Sequence, residues 1–148
     1  MRATKAKQQN IFILADRADQ RVYNRVIDWL KPLHRNGQIN VIEFEDANQM
    51  VYELETCTYC IVLISQNFIN SPLYFEGRLM ELFNHFGVLP LCLVCGVVDW
   101  NKTCFTGVQW VNNPETPFSK LRSHKIDEYL LRVSQRVMED PTKKYNRW

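Results

Sequence analysis

The chain of 148 residues predicts an α/β domain in which a parallel sheet lies between layers of helix. Three observations predict it. Short apolar runs alternate with stretches of helical periodicity, the run Tyr59–Ser65 (YCIVLIS) is apolar almost without a break, and polar or glycine-bearing loops separate these segments. Unbroken apolar strands belong to parallel sheets covered on both faces, and strand/helix alternation generates such sheets. A chain of this length has room for one core and buries roughly 70% of its unfolded surface.

Asn10–Ala15 (NIFILA) is the first predicted strand, followed by the polar loop DRADQ. From Asp19 to His34 the apolar positions Val22, Val26, Trp29, Leu30 and Leu33 fall at helical spacing, and Asn36-Gly37 supplies the stop. Gln38–Phe44 is the second strand, with a short helix expected at Gln49–Thr56 and the third strand at Tyr59–Ser65. The loop QNFINSP leads into a helix at Leu73–Phe86, whose Leu79, Leu82, Phe83 and Phe86 face inward, and Pro90–Val98 forms the fourth strand. Asp99–Ser123 reads as irregular, with room for a short helix or strand. His124–Glu139 closes the domain as an amphipathic helix, with Ile126, Leu130, Val133 and Val137 on one face and Pro141 as its stop. Residues 1–9 and 141–148 are expected to be flexible tails around a domain at 10–140.

Composition narrows the function classes. A net charge of +2, with basic residues gathered at the two ends, gives no concentrated basic face for nucleic acid. The apolar run Ile11–Ala15 is too short for a signal-peptide core. Gly87–Val98 contains Pro90 and falls short of the roughly 20 residues that a bilayer span needs. Five cysteines, an odd number, fit a reducing cytoplasm. The pairs Cys57/Cys60 and Cys92/Cys95 have CxxC spacing, but residues three apart on a strand point to opposite faces, so they read as core thiols and no metal site is expected. His34, His85 and His124 sit at separate helix ends with no paired acid. Trp29 reads as core. Trp100 and Trp110 bracket the long loop, where they either pin it to the body or form a contact patch. The chain has neither a Gly-rich phosphate loop nor a GxSxG elbow.

Four segments in order resemble the Toll/interleukin-1 receptor (TIR) domain family, particularly its small bacterial kind. IFILADRADQ (Ile11–Gln20) echoes the family's IFISYS opening, and DWLKPLHRNGQINVIEFED (Asp28–Asp46) looks like LxPLxxxGxIxVWxDx. IVLISQNFINSPLYF (Ile61–Phe75) matches a strand followed by LSxxFxxSxxx, and PLCLVCGVVDW with TGVQWVNNPETPFSK (Pro90–Lys120) is similar to the fourth strand, tryptophan loop and LQxLPxxxxPI segment. The resemblance runs from Ile11 to Glu139. It implies a flavodoxin-like three-layer α/β/α fold with a central parallel sheet of four to five strands. It also implies one of two activities: self-association in immune or defence signalling, or cleavage of NAD.

The cleaving members of that family carry a glutamate in the third helix, six or seven residues after the serine matched here by Ser71. Gly77 and Arg78 stand at that place, and a guanidinium has the wrong sign beside a departing cationic nicotinamide. Glu76 and Glu81 are the nearest acids and become the candidate catalytic residues. Ala15, Asp16, Arg17 and Ser71 become the candidate cofactor-binding residues. The loop after the second strand, Glu45–Asn48, is shorter than the family's lid. Both departures move the expectation from hydrolase to a cytoplasmic interaction module that needs no cofactor, partners other TIR-like domains or a signalling protein, and forms a homo-oligomer without membrane or nucleic-acid contact. The competing expectation is an NAD glycohydrolase activated by assembly; a third is a domain that holds a nucleotide without cleaving it.

Overall fold

The computed structural model describes residues 9–42, 52–71, 74, 79–105, 108 and 110–140. Four strands, β1 (Gln9–Leu14), β2 (Ile39–Ile42), β3 (Tyr59–Ile64) and β4 (Leu89–Val94), form one sheet in the order β2-β1-β3-β4. All three pairings are parallel, with Ile13 beside Ile61 and Val62 beside Cys92. This is the flavodoxin-like order, in which the chain reverses its direction of winding between β1 and β3. Alternation along the strands divides the core. Ile11, Ile13, Tyr59, Ile61, Leu63, Leu91 and Leu93 enter one apolar layer, while Phe12, Leu14, Cys60, Val62, Ile64, Cys92 and Val94 enter the other. All six residues of β3 are buried, which is why its sequence shows no polar alternation.

Helices α1 (Gln20–Arg35) and α4 (Ser123–Arg136) cover the first layer through Val26 and Leu30, and through Ile126, Leu130 and Val133. Trp29 is more than a core side chain here. It is half-buried against that layer, and its indole N–H donates to Asp127 Oδ1 at 3.2 Å. Arg25 donates to the same oxygen at 2.8 Å and to the Ser123 carbonyl at 3.1 Å, so one carboxylate ties the two helices together. The Arg25 hydrogen bond holds the Asp127 carboxyl below its usual range. The second layer is covered by helical residues 52–54, by the one-turn helix α2 (Gln66–Ile69) and by α3 (Leu79–Phe86), with Leu54, Phe68, Leu79 and Phe83 buried. The segment read as a plain loop, QNFINSP, therefore contains a helical turn. Residues 43–51 and 75–78, on which parts of the second strand, the second and third predicted helices and the shortened lid fall, lie outside the described residues, as do 1–8 and 141–148.

At the amino end of the sheet the turn that follows α4 is latched to β1 and β3. The Tyr59 hydroxyl donates to the Glu139 carbonyl at 2.7 Å, and Gln9 Nε2 donates to the same oxygen at 3.3 Å. The Arg136 guanidinium lies 5.5 Å from the centre of the Tyr59 ring and bonds Glu139 Oε2 at 3.2 Å.

The long irregular segment is held as a strap rather than a strand. Trp100 and Trp110 meet edge to face at 6.1 Å, with Trp110 buried, and so anchor the loop to the body. Beyond them Trp110 forms a single parallel bridge with Cys92, the Val111 N–H donates to the Cys92 carbonyl at 2.9 Å, and the Ser119 N–H donates to the Cys95 carbonyl at 3.0 Å. Among the described residues the sheet has four strands, and the strap occupies the place of a fifth. No helix of the described residues is long and apolar enough to cross a membrane.

Gly37 closes α1 with φ of 73°, allowing the Gln38 N–H to reach the Leu33 carbonyl at 3.0 Å and its own N–H to reach that of His34 at 3.1 Å. Gly37→Ala forces a side chain into left-handed backbone and is expected to cost about 1–2 kcal/mol in urea unfolding, with an unchanged slope.

Candidate functional site

In a sheet of this order ligands bind outside the carboxyl ends of the strands, at the point where winding reverses. Here that point lies between the loops that follow β1 and β3. In the first loop Asp16 caps a single 3₁₀ turn, Arg17–Asp19: its carboxylate accepts the Ala18 N–H at 2.9 Å, and its carbonyl accepts the Asp19 N–H at 3.0 Å. Ala15 packs against the first apolar layer, and Arg17 is exposed. Asp19 reaches across to the second loop. Its Oδ2 accepts the hydroxyl of Ser65, and its Oδ1 lies 3.5 Å from Asn67 Nδ2.

Ser65 works in both directions, because its oxygen also accepts the Phe68 N–H at 3.1 Å and so starts α2. Ser71 ends the same turn: its hydroxyl donates to the Phe68 carbonyl at 2.7 Å, inside the loop. Both serines are buried. The Asp19–Ser65 bond thus closes β1's loop onto β3's loop with charge-assisted geometry. Cys95, just beyond β4, has its thiol pushed up by burial and then by the Asp19 charge.

The candidate residues are therefore distributed unevenly. Asp16 and Ser71 are engaged in local caps, Ala15 is packing and Arg17 faces solvent. Glu81 is exposed in the first turn of α3. Glu76, and the Gly77-Arg78 pair beside it, lie outside the described residues. Asp19, Ser65 and Asn67, which sequence reasoning did not single out, form the central contact. Only their convergence in space reveals it, since Asp19 and Ser65 are 46 residues apart.

Other reactive side chains are engaged in the fold. His34 Nδ1 accepts the Val41 N–H of β2 at 3.2 Å, and His85 stacks edge-on against Phe86 at 4.8 Å. Cys92 and Cys95 enter opposite apolar layers, as strand geometry requires, while Cys57, Cys60 and Cys92 share one. No cluster of metal-binding side chains occurs among the described residues. Burial pushes Cys57 up to about 12, with Glu53 adding to the effect, and it raises Cys60, Cys92 and Cys95 as well. Tyr59 is pushed up to about 12, first by burial.

Two outcomes follow. Ser65→Ala removes the α2 cap and the interloop bond together and is expected to lower stability by about 1–2 kcal/mol, read by denaturant unfolding. The raised thiol and phenol values mean that the folded state holds these protons more tightly than the unfolded state. Stability from them is therefore complete below about pH 9, the ordinary thiol value, and falls as pH rises toward the folded values. Each thiol ionised only in the unfolded state contributes about 1.4 kcal/mol per pH unit of that loss. Unfolding curves between neutral pH and about 11 are expected to show the decline, and Cys57→Ser to make it shallower.

No protein-family model matches the chain, and no curated protein does. Among solved structures it is similar to the TIR domains in the structure of the activated Roq1 resistosome directly recognizing the pathogen effector XopQ. The two chains are 14% identical over 88% of this chain and 82% of that one, with a TM-score of 0.46.

Proposed function

We propose that this chain is a TIR-like interaction module, acting by protein association in a cytoplasmic signalling or defence assembly, without efficient NAD cleavage. The observation that supports this reading is the bonding at the carboxyl end of the sheet. Asp16, Asp19, Ser65 and Ser71 are each engaged with another group of the protein, in caps and in the bond that joins the two loops. Nucleophilic or acid–base work needs a side chain with a partner aimed at a substrate atom, and these groups are aimed at one another. The motif order from Ile11 to Glu139 supports the TIR-like part of the reading, and Gly77-Arg78 at the expected acid position supports its non-cleaving part.

NAD incubated with the concentrated protein is expected to give no nicotinamide above a protein-free control, while light scattering shows mass growing with protein concentration. Nicotinamide release that disappears in Glu76→Gln or Glu81→Gln would establish the glycohydrolase instead. A rise in melting temperature with NAD, without product, would make it a nucleotide-holding domain.

A further inference from the structure

We infer that copies of this chain meet head to tail through their two helical layers, the basic layer of α1 and α4 on one copy taking the acidic layer of residues 52–55 and α3 on the next. The layers lie on opposite sides of the sheet, because α1 and α4 pack on one apolar layer while Leu54, Leu79 and Phe83 pack on the other. On the first side ion pairs engage most of the acids: Asp127 is held by Arg25 at 2.8 Å, Glu128 by Lys125 at 3.0 Å and Glu139 by Arg136 at 3.2 Å. Arg21, Lys31 and Arg35 on the outer side of α1, and Lys120 and Arg122 ahead of α4, are all exposed, and on these elements only Asp28 is left to oppose them. On the second side the sign is reversed. Glu53, Glu55 and Glu81 make no ion pair among the described residues, and the lysine of that side, Lys102, is bonded to Asp99 at 3.5 Å.

A charge pattern of this kind selects its partner by sign. Two basic layers face to face repel, as do two acidic ones, whereas basic on acidic attracts and leaves each copy with one layer still open. The net charge of the chain is only +2, so the cations of one layer find their counterpart on the other without a foreign polyanion. Both layers also expose apolar side chains that a neighbour would cover. Leu131 on α4 and Met138 just past its end are 43% and 44% exposed and, seven residues apart, lie on one side of the helix. Tyr52, 75% exposed, stands beside Glu53 and Glu55, so its ring can rest on a guanidinium while the carboxylates meet the flanking cations.

This contact rests on the association proposed above and assigns it two surfaces. The full chain is compared with Lys120→Glu/Arg122→Glu, which reverses part of the basic layer, and with Glu53→Lys/Glu55→Lys, which reverses part of the acidic one; unfolding curves check that each variant is folded. Mass by light scattering is expected to rise with concentration in the wild type and to need about tenfold more protein in either variant. Mixing the two variants is expected to restore wild-type growth, since each offers the sign that the other has lost. Wild-type growth is also expected to weaken as salt rises from about 0.1 to about 1 M, where the Debye length falls from about 10 to about 3 Å. A wild type of constant mass at every concentration overturns the association and this contact together. Growth that either folded variant shares unchanged, or variants that do not recover on mixing, overturns this contact and leaves the association standing. Salt-insensitive growth of the wild type does the same and decides the matter if the variants do not fold. Binding of the wild type to phosphatidylserine vesicles that Lys120→Glu/Arg122→Glu abolishes, with mass growth intact in Glu53→Lys/Glu55→Lys, gives the basic layer to a lipid surface and overturns the contact as well.

Discussion

A parallel sheet buried on both faces cannot satisfy its backbone with water, and this constraint organises the molecule. β3 sits in the middle with every residue buried and takes its hydrogen bonds from β1 on one side and β4 on the other. Both apolar layers form because alternate residues of the same strands feed them, so a helix layer missing from either face would leave a row of Ile, Leu and Val side chains in water. The problem that remains is in the plane of the sheet. On β2 the His34 ring receives the Val41 N–H, and on β4 a proline, a backbone bridge and an asparagine divide the work. Among the described residues, side chains share with backbone the work of ending this sheet.

The same economy shapes the carboxyl end. Four polar groups stand where an α/β domain meets its ligands, and each stabilises the loop it belongs to or the loop opposite. Ser65 is the pivot, since one oxygen starts α2 and also reaches the Asp19 carboxylate. The two loops are thus held to each other by their own side chains.

Much of the architecture was legible in the sequence because it is written in local periods. The four strands, α1 and α4 follow from alternation, helical spacing and the Asn36-Gly37 stop, and the split of Cys92 and Cys95 follows from strand geometry alone. What was not legible depends on distant pairs. Trp29 lies on an apolar stripe, and only the approach of Asp127 from α4 makes its indole polar face matter. The helical turn at Gln66–Ile69 is too short to show a period, although Ser65 ahead of it is a good cap. Asn112 reads as a loop residue until Val94 is beside it. The candidate site was partly legible: Ala15, Asp16 and Arg17 of the first loop were singled out, but Asp19, which makes the contact with Ser65, was not.

The latch between Glu139 and the two strands joins groups 130 residues apart, Gln9 at one end of the described chain and Glu139 at the other. During synthesis the first apolar layer is therefore uncovered on the α4 side until nearly all the described residues have been made. Ile11, Ile13, Ile61 and Leu63 must wait for Leu130 and Val133. Contacts of such long sequence separation slow folding, because loop-closure entropy is lost before they form. The nascent chain thus keeps one side of this layer open until α4 completes it.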